Sequence, residues 1–357
     1  MKFSVDERMK EIPPYPKAYA YGSQEGLIFL SANENPYPPS PKVITAIMES
    51  LFFLNRYPEG EGDLKEAIAK NLGLKPENII VGCGSNEIIE VVLRVSKMEG
   101  KNKVLIPSPS FAFYSIASKI YGYEVTTIPL KGFHIDVGSI KEGIDERTRI
   151  VFLCNPNNPT GTIVEKRDFE ALIEGLPPDV LLVVDEAYYE FVESSEFPVS
   201  FDYIGKAPIV TLRTFSKAYG LAGLRVGYGI GDADFIDLLE KARQPFSTNS
   251  LALIAAKAAL EDKSYKDEVV TKILRQKKFL CEKLEEIGIE VVRSESNFIL
   301  LRIGKSAEDV TRKLFNEGIV VRWMGPLGLP EYVRVTVGRR EENEIFLNTM
   351  RRIISEG

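Results

Sequence analysis

Short runs of almost unbroken apolar residues alternate along the chain with segments whose apolar residues recur every three or four positions. The runs are Ile79-Ile80-Val81, Lys103-Val104-Leu105-Ile106, Ile150-Val151-Phe152-Leu153, Val180-Leu181-Leu182-Val183-Val184, Ile209-Val210-Thr211-Leu212 and Val226-Gly227-Tyr228-Gly229-Ile230. Apolar, β-branched runs of this kind predict strands covered on both faces. Helical spacing lies between them, over residues 64–72, 86–97, 113–121, 166–174 and 235–242. The alternation predicts an α/β unit with a mostly parallel sheet.

The pattern changes after Pro245. Residues 250–287 are helix-rich and strongly charged, which reads as a solvated helix face. Short strands are expected at 289–292, 297–301, 319–322 and 332–337, with helices at 308–316 and at the end of the chain. This second pattern is that of a smaller α+β unit. The expected division is a large unit over residues 36–245 and a small one over 246–357, with the arm 1–35, rich in Pro and Tyr, packed on the latter. No internal repeat or low-complexity segment is present.

Composition narrows the function. With 357 residues, 44% of them hydrophobic, the chain can bury a large core. A net charge of −6 argues against sequence-independent binding of nucleic acid. Cys83, Cys154 and Cys281 are dispersed and odd in number, which fits buried thiols in a reducing compartment. No signal peptide or run of apolar residues long enough for a membrane span is present, so a cytoplasmic protein is expected. The single histidine, His134, excludes a multi-histidine metal site, no metal is expected, and His134 itself reads as a surface loop residue.

Four clusters at strand ends carry the chemistry, because ligands of open α/β sheets bind there. Gly82-Cys83-Gly84-Ser85-Asn86-Glu87 joins a strand to a helix and frees backbone N–H groups for an anion. Taken alone it is equally an ordinary turn, and it lacks the spacing of a dinucleotide-binding loop. Asn155-Pro156-Asn157-Asn158-Pro159-Thr160-Gly161 is a rigid loop whose amides can donate to a ligand oxygen. In Val184-Asp185-Glu186-Ala187-Tyr188-Tyr189, Asp185 ends an apolar strand. A carboxylate there needs a cation, such as a protonated ring nitrogen, or else caps a helix. Finally, Thr214-Phe215-Ser216-Lys217-Ala218-Tyr219-Gly220-Leu221-Ala222-Gly223-Leu224-Arg225 places a lysine between hydroxyls, with an arginine eight positions on. A lysine amine of depressed pKa is a nucleophile towards aldehydes, and an arginine holds phosphate bidentately.

Together the parts describe pyridoxal phosphate. Its aldehyde would meet Lys217, its pyridinium nitrogen Asp185, and its phenolate oxygen Asn158 and Tyr188. Its phosphate would meet Ser85, Asn86, Thr214, Ser216 and Arg225. The clusters, in this order, resemble the fold-type I aminotransferases over nearly the whole chain. That resemblance implies a seven-stranded type of sheet in the large unit, with Lys217, Asp185 and Tyr188 as the catalytic residues. A narrower resemblance, to the histidinol-phosphate aminotransferase family, rests on Ile12-Pro13-Pro14-Tyr15, Ser31-Ala32-Asn33-Glu34-Asn35-Pro36, Asn55-Arg56-Tyr57-Pro58, the stretch from Val321 to Pro330, and Arg334-Val335-Thr336-Val337-Gly338.

The narrower resemblance implies a homodimer in which Tyr57 reaches the cofactor phosphate of the neighbouring subunit. It implies that Arg334 holds the α-carboxylate of glutamate, that Arg322 and Tyr15 hold the phosphate of an imidazole substrate, and that Asn33 belongs to the substrate side. Phe111 stands where that family usually has a tyrosine stacked on the cofactor ring. The sequence departs from the family at Pro14-Tyr15-Pro16-Lys17-Ala18, which lacks a frequent glycine, and at Arg339, where a small residue is usual. The implied reaction moves an amino group between histidinol phosphate and 2-oxoglutarate through a Schiff base, in histidine biosynthesis, with Lys217 as base and acid. Alternatives are an aromatic-amino-acid or aspartate aminotransferase, with Tyr15, Tyr19, Tyr21 and Trp323 forming an aromatic pocket, a phosphothreonine decarboxylase, and a regulator that binds the cofactor as effector.

Overall fold

The apolar runs become the strands of one sheet because residues facing opposite ways along each strand both find helices to pack on. The structure, a computed structural model, describes residues 6–16 and 25–355. The short helix α1 (Arg8–Glu11) and strand β1 (Ile28–Phe29) come first, then α2 (Pro41–Ser50) and α3 (Gly62–Leu72). The large unit continues as β2 (Ile79–Gly82), α4 (Ser85–Val95), β3 (Lys103–Ser108), α5 (Ala112–Ile120), β4 (Glu124–Pro129), α6 (Val137–Gly143) and β5 (Thr148–Cys154). It is completed by α7 (Lys166–Glu174), β6 (Leu181–Asp185), β7 (Ile209–Thr214), β8 (Gly227–Gly231), α8 (Ala233–Ala242) and α9 (Ser250–Glu261).

These strands form the expected mostly parallel seven-stranded sheet, in the order β2-β8-β7-β6-β5-β3-β4, with β8 antiparallel to both its neighbours. Along β5, Ile150, Phe152 and Cys154 face the layer of α4, α5 and α8, whereas Val151 and Leu153 face α6 and α7. On the β2–β8 side, Ile79, Val81, Tyr228 and Ile230 pack against α2, α3 and α9. The carboxyl ends of β2, β5, β6 and β7 therefore open on one edge, and all four chemical clusters meet there.

The rest of the chain is α10 (Lys263–Glu285), β9 (Glu290–Val292), β10 (Phe298–Arg302), α11 (Ala307–Asn316), β11 (Ile319–Val320), β12 (Arg322–Trp323), β13 (Tyr332–Thr336) and α12 (Arg340–Ser355). An antiparallel sheet, β12-β13-β10-β9, lies on α10, α11 and α12 with Leu284, Ile299, Leu301, Leu314, Val335 and Phe346 in its core. β1 pairs in parallel with β11, so that Leu30 joins this second core. Helix α9 buries Ala252, Ala255, Ala256 and Ala259 in the core of the large sheet, because its small residues allow close approach to α2 and α3. Among the described residues no helix is long and apolar enough to cross a membrane.

Candidate active site

A cavity of about 540 Å³ opens at the carboxyl edge of the large sheet, between it and the second unit. It brings together Ser85, Asn86, Phe111, Asn158, Asp185, Tyr188, Thr214, Ser216, Lys217 and Arg225 from the large unit. Tyr15, Asn33, Arg322 and Arg334 line it from the arm and the second unit. Residues scattered over three hundred positions converge because parallel strands deliver successive loops to one edge.

Lys217 follows β7, and its Nζ donates to the Ala32 carbonyl at 2.9 Å. Burial, reinforced by the positive charges of Arg334 and Arg225, pushes this amine down to about 7. Asp185 ends β6 and is 4% exposed. Its Oδ2 accepts from the Tyr114 hydroxyl at 2.6 Å and its Oδ1 from the Ala187 N–H at 3.1 Å. Burial pushes its carboxyl up to about 6 against these two bonds. The reading of Asp185 as a helix cap is set aside, since only a single 3₁₀ turn, Tyr189–Phe191, follows it. Burial likewise pushes the Tyr188 phenol up, and its oxygen accepts from Asn33 Nδ2 at 2.9 Å and Asn158 Nδ2 at 3.3 Å.

The Asn155–Gly161 loop divides its work. Asn155 bonds Val164 in both directions, and Asn157 bonds Ser110, Thr160 and the Pro109 carbonyl. This bracing leaves Asn158 at the cavity wall, where its Oδ1 accepts from Arg334 at 2.6 Å. Arg334 also donates to the Ser31 carbonyl at 2.6 Å.

At the other end, Ser85 and Asn86 open α4 beside Thr214, Ser216 and Arg225. Two glycines make this corner. A Cβ on Gly84 would lie 2.7 Å from the Arg225 guanidinium, and one on Gly227 would lie 2.6 Å from the Ser85 nitrogen. Arg225 itself holds φ at 58°, a strained left-handed setting for a residue with a side chain, and its guanidinium reaches Ser216 Oγ at 3.4 Å. Hydroxyls, a helix N-terminus and a guanidinium facing one space form a donor set suited to a phosphate group. A buried amine and a buried acid lie along the same cavity, so the set as a whole fits pyridoxal phosphate.

Some candidate residues do more than line the cavity, and others lie away from it. The Asn33 amide is engaged with Tyr188 and Thr336, so it orders the wall as well as lining it. Tyr57 lies outside this cavity, stacked on Phe246 at 4.8 Å and largely exposed. Trp323 also lies off the cavity, with its indole N–H on the Pro330 carbonyl. Arg339 donates to the Pro36 carbonyl and lies over the Tyr37 ring. His134 is exposed in a turn. Lys17, Ala18, Tyr19 and Tyr21 lie outside the described residues. Of the thiols, Cys154 and Cys281 are buried and Cys83 is half-buried. The sequence reasoning passed over Glu34, Ser110, Cys154 and Tyr114. The first three line the cavity, and Tyr114 lies behind it with its hydroxyl on Asp185. Only the three-residue spacing between Phe111, just before α5, and Tyr114 on it hinted at the last.

Sheet, cavity and donor set define a class: an α/β enzyme built around a buried amine. The chain belongs to the family described as aminotransferase class I and II, whose profile matches residues 25–350. It is 39% identical to the histidinol-phosphate aminotransferase of Moorella thermoacetica over 332 residues, 92% of this chain and 86% of that one. It is 38% identical to that of Desulfotalea psychrophila over 100% of this chain and 97% of the relative. Among solved structures, the histidinol-phosphate aminotransferase of Sinorhizobium meliloti in complex with pyridoxal-5'-phosphate superimposes with a TM-score of 0.91 at 28% identity, covering 99% of each chain.

Proposed function

We propose that this aminotransferase moves an amino group between histidinol phosphate and 2-oxoglutarate, giving imidazole acetol phosphate and glutamate, with pyridoxal phosphate as cofactor. The observation that carries this reading is a cavity with Lys217 and Asp185 in its floor and Arg322 and Arg334 in its wall. Full-length similarity to relatives of that activity supports the choice of substrate over aromatic or aspartate alternatives.

When bound, pyridoxal phosphate supplies an aldehyde that condenses with amines and a ring that withdraws electrons from the carbon they bear. Ser85, Asn86, Thr214, Ser216 and Arg225 would hold its phosphate, Asn158 and Tyr188 its phenolate oxygen, and Phe111 a face of its ring. Asp185 would keep a proton at the ring nitrogen. Lys217 Nζ, poised near neutrality, is the amine that would hold the aldehyde, and as a free amine it would carry the proton from the donor's Cα to the carbaldehyde carbon. Arg334 receives the carboxylate of glutamate, and Arg322 with Tyr15 receives the phosphate of the second donor. One guanidinium chemistry serves both anions, which lets a single site alternate between two substrates.

The same reading makes the enzyme a cytoplasmic homodimer in which Tyr57 serves the neighbouring site. An exposed apolar patch supports it: Met48, Phe52, Phe53, Leu54, Tyr57 and Phe246, with Phe52 87% and Tyr57 79% exposed. The test is a donor panel of histidinol phosphate, phenylalanine, aspartate and phosphothreonine, with 2-oxoglutarate as acceptor. Histidinol phosphate should give the highest kcat/KM with glutamate as product, and glutamate alone should bleach the yellow band of the loaded protein. Carbon dioxide release from phosphothreonine, or a preference for aspartate, would reject the assignment.

A further inference from the structure

We propose that Tyr114 is a positioning residue for the reaction: its hydroxyl, fixed on Asp185 Oδ2, keeps that carboxylate ionised so that the shared proton stays on the cofactor's ring nitrogen. The inference rests on the pyridoxal phosphate reading above and adds a residue to it.

Tyr114 is fully buried on α5, and its hydroxyl lies 2.6 Å from Asp185 Oδ2. Its ring has one orientation available. It stacks on Phe152 at 4.8 Å with the planes 4° apart, and it meets Phe111 edge-on at 5.3 Å. Phe111 directly precedes α5 and Tyr114 lies three residues later. One short helix therefore presents both the ring that would cover the cofactor and the hydroxyl that holds the acid beneath it.

The other groups facing Asp185 leave this task to Tyr114. The Cys154 thiol is pushed up to about 12 by burial and stays neutral. The Glu186 carboxylate accepts from Arg213 at 2.7 and 2.9 Å and from Ser200, and so is fully engaged on the far side. Lys217 acts on Asp185 only as a weaker, longer-range charge. The Ala187 N–H occupies the other carboxylate oxygen. Each oxygen thus has one fixed donor and keeps a lone pair for the ring N–H. Burial also pushes the phenol's own pKa up, so Tyr114 remains a donor at every working pH. A donor to a carboxylate favours the charged form. Without the hydroxyl, the desolvated carboxyl competes better for the proton, and a ring that loses its proton withdraws electrons less well.

The test uses the holoenzyme loaded with cofactor isotope-labelled at the ring nitrogen. In Tyr114→Phe both aromatic contacts survive and only the donor is lost. At neutral pH the ring-nitrogen resonance should move towards the unprotonated position. The rate of the half-reaction with glutamate should fall on the order of tenfold, as for one charge-assisted bond, with KM nearly unchanged. Phe152→Leu is the packing control: it removes the stack, keeps the hydroxyl, and should lower the melting temperature while leaving the resonance in place. Adding Tyr114→Phe to Asp185→Asn should cost little more than Asp185→Asn alone, since the two act as one unit. A wild type that transaminates, combined with an unmoved resonance in Tyr114→Phe or an equal movement in Phe152→Leu, overturns this proposal alone. A wild type that binds no pyridoxal phosphate overturns the functional reading as well.

Discussion

At the scale of single residues, Lys217 is the clearest case of environment creating reactivity. An exposed lysine is protonated at neutral pH; here burial has lowered the amine to about 7. Capture of pyridoxal phosphate by the unloaded protein should therefore quicken about tenfold per pH unit up to neutrality and level off above it, as stopped-flow absorbance would record. The same shift has a stability sign. Between about 7 and 10.5 the unfolded chain binds more protons at this residue than the folded one. Its contribution to the stability of the unloaded protein thus rises with pH across that window. Lys217→Met should flatten that slope in denaturation curves and abolish turnover. Arg322→Ala should reduce kcat/KM for histidinol phosphate by on the order of a hundredfold and for glutamate only a few-fold, the loss of one buried ionic partner falling on the phosphate ester alone. Equal losses in steady-state assays would remove its phosphate-specific role.

At the scale of elements, the buried parallel strands were easy to read because both faces of each are covered. β4 escaped because it is an edge strand: of its residues only Ile128 is buried, so no apolar run marks it. α2 was passed over although Ser40 caps it and Pro41 opens it, a start signal that local residues do carry. Its apolar residues Ile44 and Met48 are exposed, which blurs the periodicity. The division after Pro245 followed a change in charge pattern, whereas α9 follows its alanines into the large core. Close approach between elements is the other thing the pattern hides. Gly227 lets β8 lie against both the start of α4 and the Arg213 carbonyl of β7. Gly227→Ala should destabilise the protein by about 1–3 kcal/mol in chemical denaturation, through overpacking against backbone. It should also weaken cofactor binding, because the displaced element carries Ser85 and Asn86.

At the scale of the whole molecule, the convergence of the proposed cofactor residues on one cavity was legible because they come in short local clusters. The supports of that site were not. Tyr114 and Asp185 are 71 positions apart, and Asn33 and Tyr188 are 155 apart, so only the fold reveals either bond. The exposed apolar patch around Phe52 and Tyr57 was likewise invisible in a linear pattern. Phe52→Glu with Phe53→Glu should halve the mass seen by sedimentation, if the proposed dimer forms there. Those monomers should bind pyridoxal phosphate more weakly, since Tyr57 would reach no neighbour.

The pairing of β1 with β11 also dictates an order of events during synthesis. Ile28 and Phe29 find their partners only at Ile319 and Val320, and the Asn33 that steadies Tyr188 is anchored to Thr336. A ribosome must therefore release the polypeptide past Val320 before the first strand can dock. Nascent chains interrupted ahead of that point would carry Lys217 yet lack the wall that closes over it.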